Sequence, residues 1–116
     1  IIKSFMKQGI NIKQLNMFGF SAGAQFVQRY SLLYPKKVAK SAIYASGGND
    51  PLTKKLPVKF FYGIGLEDQQ NRKTFAKQFK AQAKKTKTSL IYLEYQNTGH
   101  NLTDQVIDDV IEFFNQ

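Results

Sequence analysis

The segment Gly19-Phe20-Ser21-Ala22-Gly23 places a serine between an apolar run and a stretch with apolar residues at helical spacing. This is the G-x-S-x-G pattern of a nucleophile elbow, which holds a serine hydroxyl on a tight turn at the start of a helix. Gly19 and Gly23 lack a Cβ, so we expect strand and helix to approach closely around a strained serine. The alternative interpretation is a glycine-rich turn with an ordinary N-cap serine.

A serine nucleophile needs a base within hydrogen-bond reach, and the base needs an acid that orients it. The single histidine of the sequence, His100, directly follows Gly99 and precedes the last predicted helix. It falls at the carboxyl edge of the predicted parallel sheet, the same edge as Ser21, where ligands bind in open α/β sheets. This placement favours a catalytic base over a packing histidine.

The acid is expected after the third predicted strand, within residues 65–68. Asp68 is preferred, because a turn that begins at the preceding glycine would aim its short carboxylate at the imidazole. Glu67 is its nearest competitor. Asp50 is a weaker alternative, since its position before Pro51 favours an ordinary turn residue. The resulting chain order of serine, aspartate and histidine is the order of an α/β-hydrolase triad.

These residues must be positioned by alternating helices and strands. Helices are predicted over 1–8 (ended by Gly9), 22–34 (ended by Pro35), 69–85 and from a cap at Asn101 or Thr103 to 114, and strands over 15–20, 38–46, 58–64 and 89–95. This alternation predicts βαβ crossovers and a mostly parallel sheet with helices on both faces. We expect one α/β domain over residues 1–116, with α/β/α layers around about four strands.

Hydrophobic periodicity assigns a core-facing side to three of these helices. The predicted inward residues are Ala22, Phe26, Tyr30 and Leu33 in the second helix, Phe75, Ala76, Phe79 and Ala83 in the third, and Leu102, Val106, Val110 and Phe114 in the last.

The net charge of +9 is unevenly distributed: residues 1–49 hold seven Lys or Arg and no acid, whereas residues 88–116 hold five acids and no Lys or Arg. Such an excess could favour anionic partners. Most of the cations are lysines at helix-surface spacing, and no nucleic-acid motif accompanies them, so no nucleic-acid partner is expected. The sequence lacks Cys, which excludes Cys-based zinc sites, and lacks an apolar run of the roughly 20 residues that span a bilayer.

The sequence resembles the C-terminal half of an α/β-hydrolase, in particular bacterial esterases of the polyhydroxybutyrate depolymerase or feruloyl esterase type. The most specific part is the stretch 18–27, followed by Arg29-Tyr30 and Pro35. The Gly65-x-x-Asp68 and Gly99-His100 segments fall where that family has its acid and base, so the resemblance covers essentially the whole chain.

The resemblance implies that Ser21 is the nucleophile, His100 its general base and Asp68 the orienting acid, with the Ala22 N–H in the oxyanion hole. The implied substrate is a small or polymeric ester, and no metal or organic cofactor is needed. An α/β-hydrolase has about eight strands, and one oxyanion N–H comes from a loop that is not found in this sequence.

We therefore expect an N-terminally truncated fragment, whose first strand has an open edge. That edge could be completed by the missing N-terminal half or by a second copy. The alternative function is an inactive fragment or a cationic binding module with a vestigial triad.

Overall fold

The computed structural model describes residues 14–116, so the helix predicted over 1–8 and its end at Gly9 lie outside the described residues. The strands are β1 (Leu15–Phe20), β2 (Val38–Tyr44), β3 (Lys59–Gly65) and β4 (Leu90–Tyr95); the helices are α1 (Ala22–Leu33), α2 (Gln70–Thr86) and α3 (Asp104–Phe114), with a short 3-10 turn at Pro35–Lys37. The elements predicted within the described residues are confirmed, with ends that differ by one or two residues. β2 ends at Tyr44 because the next residue, Ala45, adopts a φ of 55°.

The four strands form one parallel sheet in the order β1-β2-β3-β4. Ser41 of β2 contacts Ser31 of α1, and its register partner Phe60 contacts Phe79 of α2, so α1 and α2 cover the same face. Phe61, the next residue along β3, packs against Phe113 of α3. Because successive side chains of a strand point to opposite faces, α3 covers the other side. The predicted three-layer α/β/α architecture is confirmed.

β3 supplies the centre of the core, since its side chains are buried on both faces of the sheet. Phe60 and Tyr62 pack against Phe79, with ring centroids 5.2 Å apart in both pairs. In α2, the predicted inward residues Ala76, Phe79 and Ala83 are buried, whereas Phe75 is only half-buried. A strand enclosed on both sides is typical of a parallel sheet between helix layers.

The last helix places a different phenylalanine inward from the one predicted. Thr103 is its N-cap, and its side chain accepts a hydrogen bond from Val106 N–H. Val106 and Val110 are buried as predicted, but Phe113 is buried while Phe114 is only half-buried. Leu102 is exposed because it precedes the cap and lies outside the helix. The Lys40 ammonium donates to the Phe113 and Phe114 carbonyls at the helix end, where a cation is favourable.

The predicted inward face of α1 is wrong. Phe26 is 60% exposed and Leu33 69% exposed, Ala22 is also exposed, and Tyr30 is half-buried. The residues that face the sheet are Ala24, Val27, Gln28 and Ser31. We call Ala22, Phe26, Tyr30 and Leu33 the outer face of α1.

Two features explain why the smaller and more polar side of α1 packs inward. Small side chains allow the helix to approach the sheet closely, and the polar ones have partners. Ser31 Oγ lies 2.7 Å from Val27 O and 2.8 Å from Ser41 Oγ. Gln28 donates to Asp50 O and accepts from Asp50 N–H. Buried polar groups with satisfied hydrogen bonds carry little penalty, so counting apolar residues did not identify the buried face.

None of the three helices described within residues 14–116 combines the length and apolarity required to cross a membrane.

Candidate active site

Ser21 occupies the sharp turn between β1 and α1. Its φ of 59° and ψ of −116° lie in a region that L residues rarely adopt. The turn is held by two backbone hydrogen bonds: Ser21 N–H donates to Tyr44 O (3.0 Å), and Gln25 N–H donates to Ser21 O (3.1 Å). The Ser21 side chain makes no capping hydrogen bond to the helix, so the alternative interpretation as an ordinary N-cap serine is wrong.

The two glycines that flank this turn differ in what surrounds them. A Cβ on Gly19 would collide with the carbonyl oxygen of Gly23, closer than real Cβ contacts ever come. A Cβ on Gly23 would meet no heavy atom of residues 14–116 within 4 Å. The predicted close approach is therefore confirmed at Gly19 and wrong at Gly23, because it is the Gly23 carbonyl, and not its side-chain position, that meets the strand.

A chain of two hydrogen bonds connects Ser21 to residues far along the sequence. Ser21 Oγ lies 3.0 Å from His100 Nε2, and His100 Nδ1 lies 2.9 Å from Asp68 Oδ2. An ionised carboxylate can only accept, so Nδ1 carries the ring proton and Nε2 is free to accept the serine hydroxyl. The imidazole also stacks on Phe20, with ring centroids 4.9 Å apart. The structure brings the three residues predicted from the sequence into one line of contacts.

The loops that carry the acid and the base are tied to each other. Glu67 N–H donates to Thr98 O at 2.9 Å, and a Cβ on Gly65 would collide with the same carbonyl oxygen. Asp68 N–H then donates back to Gly65 O at 3.1 Å. Gly65 is thus required for a close approach between two loops, and the turn it begins places Asp68 beside His100.

Comparisons with known proteins show similarity in fold. No known family profile matches the sequence, and no curated protein is similar enough to count as a relative. Among solved structures, the chain is similar to a carboxylesterase from Bacillus cereus (TM-score 0.78, 14% identity, 97% of this chain and 54% of that one). A carboxylesterase from Mesorhizobium loti gives a TM-score of 0.74 at 18% identity, over 97% and 55% of the two chains. A protein from Thermoplasma acidophilum described as a predicted CIB-like hydrolase gives 0.72 at 19% identity, over 97% and 56%.

The chain has the fold of about half of an α/β-hydrolase. Its four parallel strands and flanking helices match these hydrolases over nearly all of its length. The chain spans a little more than half the length of each of the three structures.

Within this α/β-hydrolase fold, the two weaker acid candidates lie elsewhere. Asp50 Oδ1 pairs with Arg29 Nε at 3.3 Å, and both side chains are about half exposed, at 52% and 47%. Glu67 is exposed, and its contact with the neighbouring loop is made by its backbone. Of the three acids considered from the sequence, Asp68 is the one bonded to His100.

The Asp68 carboxylate has partners for both oxygens, although its side chain is fully buried. Oδ2 faces His100, while Oδ1 accepts from Gln69 N–H at 2.6 Å and lies 3.7 Å from Arg72 Nη1. Burial raises the pKa of the nearby Tyr44 phenol, and the negative charge of Asp68 raises it further. The site therefore contains a desolvated anion with a cation on one side and an imidazole on the other.

Tyr44 and Arg72 are the site residues that sequence reasoning missed. Tyr44 ends β2 at the same sheet edge, and its hydroxyl donates to Asn101 O at 2.7 Å, which anchors the segment after His100. The rule that parallel strands bring their carboxyl ends together could have identified it. Arg72 lies one helical turn after Asp68, a spacing at which side chains meet once a helix is assigned.

The Ala22 N–H begins α1, and the first four N–H groups of a helix have no acceptor within it. It is therefore available to a ligand next to Ser21. Within residues 14–116, no group of three or more metal-ligating side chains is close enough to hold an ion.

Proposed function

We propose that this protein is a serine hydrolase that cleaves carboxylic esters through an acyl-enzyme. The observation that carries the proposal is the contact line from Ser21 Oγ to His100 (3.0 Å) and from His100 to Asp68 (2.9 Å). The α/β-hydrolase fold supports it, since this fold presents a nucleophile at that turn in known esterases.

In the proposed reaction, Ser21 Oγ attacks the ester carbonyl while His100 Nε2 takes the hydroxyl proton. Asp68 accepts from His100 Nδ1–H and stabilises the imidazolium. The Ala22 N–H stabilises the oxyanion that forms on the former carbonyl oxygen. When the carbon–oxygen bond to the alcohol breaks, the imidazolium returns the proton to the leaving alkoxide. Water then attacks the acyl-serine with the same base, releasing the acid and restoring Ser21.

We further propose the esterase type. The elbow stretch 18–27 and the Arg29-Tyr30 pair support a relation to polyhydroxybutyrate depolymerase or feruloyl esterase-like enzymes, acting on small or polymeric esters.

A complete oxyanion hole requires a second donor, and loss of one donor costs about 10²–10³ in rate. We propose that this second donor comes from outside residues 14–116 of the same copy. It would be supplied either by an N-terminal part of the same protein or by a second copy. β1 supports this proposal because it is an edge strand of the described sheet, and its outer side can accept another strand.

A fluorophosphonate probe tests the nucleophile. We expect one adduct by intact mass on Ser21, no adduct on Ser21→Ala, and unchanged labelling of Ser89→Ala, which alters an exposed serine far from the site. His100→Ala should slow labelling by at least about 10³-fold, because the hydroxyl loses its base. Equal labelling of Ser21→Ala and the unmodified protein would reject the proposal.

A cationic binding module is the second proposal, supported by α2. This helix carries five Lys and one Arg and no acid. The module would bind heparin at low salt, release it steeply as salt rises, and be indifferent to Ser21→Ala. Absence of heparin binding at low salt would reject it.

A further inference from the structure

Asp68 presents its two carboxylate oxygens to different partners. Oδ2 bonds to His100, and Oδ1 faces the Arg72 guanidinium and the Gln69 N–H. Arg72 Nη1 is held in place by a 2.7 Å hydrogen bond to Gln69 Oε1. The Arg72 side chain is only 20% exposed and that of Asp68 is 0% exposed, so their attraction is weakly screened by solvent.

This buried carboxylate requires a charge partner for part of every catalytic cycle. While His100 is neutral, the imidazole provides a hydrogen bond but no positive charge, and an isolated buried anion is costly. A guanidinium remains charged at any pH that a protein tolerates. Among the Lys and Arg residues of 14–116, Arg72 is the one within 4.0 Å of an Asp68 oxygen.

We propose that Arg72 is a positioning residue of the active site: it fixes the Asp68 carboxylate toward His100 and offsets its buried charge while the imidazole is neutral. The inference rests on the proposed hydrolase function. Arg72 is not in contact with the reacting atoms and acts through Asp68.

Several other titratable groups lie near the Arg72–Asp68 pair. Ser21 Oγ contacts the far nitrogen of His100, and Tyr44 comes from the end of β2. Glu67 is exposed, and the Lys73 ammonium donates to the Leu66 carbonyl. A tyrosine phenol is neutral near pH 7, and burial raises the pKa of Tyr44 further, so it adds no competing charge.

The chain offers a matched control in the Arg29–Asp50 pair. Arg29 is also an arginine on a helix paired with an aspartate, but its N–O contact of 3.3 Å lies at the surface, with both side chains about half exposed. Exposed pairs of this kind contribute little to stability. Arg29→Gln therefore removes the same charge from the protein without altering the site.

Because His100 is the single histidine of the sequence, its ring protons can be followed by NMR without ambiguity. We expect Arg72→Gln to move the midpoint of the His100 titration to higher pH by about half a unit to one unit, since removal of a nearby cation favours the imidazolium. Arg72→Lys should restore the midpoint, and Arg29→Gln should leave it unchanged. At a pH below the new midpoint, phosphonate labelling of Ser21 in Arg72→Gln should be about three- to tenfold slower than in the unmodified protein at the same pH.

Two results would overturn the inference. One is a His100 midpoint in folded Arg72→Gln and Arg72→Met that equals that of Arg29→Gln. The other is failure of both neutral variants to fold, which would assign Arg72 to the fold itself. Neither result depends on Ser21, whereas labelling of Ser21→Ala would reject the hydrolase and leave the titration result intact.

Discussion

The two faces of α1 differ in solvent exposure, and the difference is the opposite of what their apolar composition predicts. The outer face carries Phe26, Tyr30 and Leu33, yet two of these side chains are largely exposed. The sheet-facing side carries Ala24 and Val27 together with buried Gln28 and Ser31. The helix therefore packs by its smaller side, with the large apolar groups in solvent.

This contrast shows that close approach, and not side-chain apolarity, decides how the helix after the elbow is oriented. The strand residue Gly19 already touches the Gly23 carbonyl at the first turn of α1. A helix fixed this close to its strand favours small groups such as Ala24 and Ser31 on its inner face. The longer Gln28 is accommodated there by its two hydrogen bonds with the Asp50 backbone. The close approach of helix and strand is thus the common cause of the strained serine at the start of α1 and of the small side chains on its inner face.

The largest expected effect concerns the two glycines at the start of the helix. Gly19→Ala should lower the free energy of unfolding by about 3 kcal/mol or more, because its Cβ meets backbone that cannot move aside. Gly23→Ala should raise it by about 0.5–1 kcal/mol, because alanine is the better helix former in an open position. Urea denaturation of both variants measures the difference. Equal destabilisation by the two would mean that the close approach is not specific to Gly19.

The two faces can be compared directly by truncation. Val27→Ala should cost about 2 kcal/mol, since it removes buried methyl groups and leaves a cavity. Leu33→Ala removes more carbon from the outer face and should cost less than about 0.5 kcal/mol. The readout is again the denaturation midpoint. A larger effect at Leu33 would show that the outer face is covered in the folded protein.

The smallest expected effect is a loss of folding stability at high pH, caused by a buried tyrosine. Burial raises the pKa of Tyr62 to about 12, partly offset by a hydrogen bond from Asn49. The unfolded chain loses this proton near pH 10, so stability is intact below pH 10 and falls as pH rises toward 12. The loss should reach about 1 kcal/mol at pH 11. Tyr62→Phe should reduce this alkaline slope, whereas Tyr34→Phe, at a half-exposed tyrosine, should not; equal slopes in both variants would contradict the assignment.

Much of the fold and the placement of the site followed from the sequence. Turn residues and alternating apolar segments determined the elements, and parallel strands bring residues such as Ser21 and His100 to one edge regardless of their separation. The preference for Asp68 over Glu67 also agreed with the contacts, because the loop that begins at Gly65 turns only one of them inward.

What could not be predicted depends on distances between elements. The choice of Phe113 over Phe114 depends on the rotation of α3 about its axis, and periodicity does not separate two adjacent apolar residues that both fit helical spacing after Val106 and Val110. The proximity of Arg72 to Asp68 depends on how the loop that carries Asp68 turns into α2, because Asp68 lies outside the helix. The inner face of α1 depends on how closely it approaches the sheet, and periodicity does not encode that distance.

The hydrogen bond between Glu67 N–H and Thr98 O limits where the sequence can gain or lose residues during evolution. It joins the acid-bearing and base-bearing turns into one unit, so a length change in either turn must be matched in the other. The serine turn joins this unit through Ser21 N–H and Tyr44 O, at the end of β2. The segment 51–57, by contrast, lies outside these bonds and belongs to neither strand nor helix. Leu52 and Leu56 of this segment are buried in the core, whereas residues 53–55 between them are exposed. Insertions within 53–55 can therefore lengthen the chain and alter its surface while the spacing of serine, histidine and aspartate is preserved.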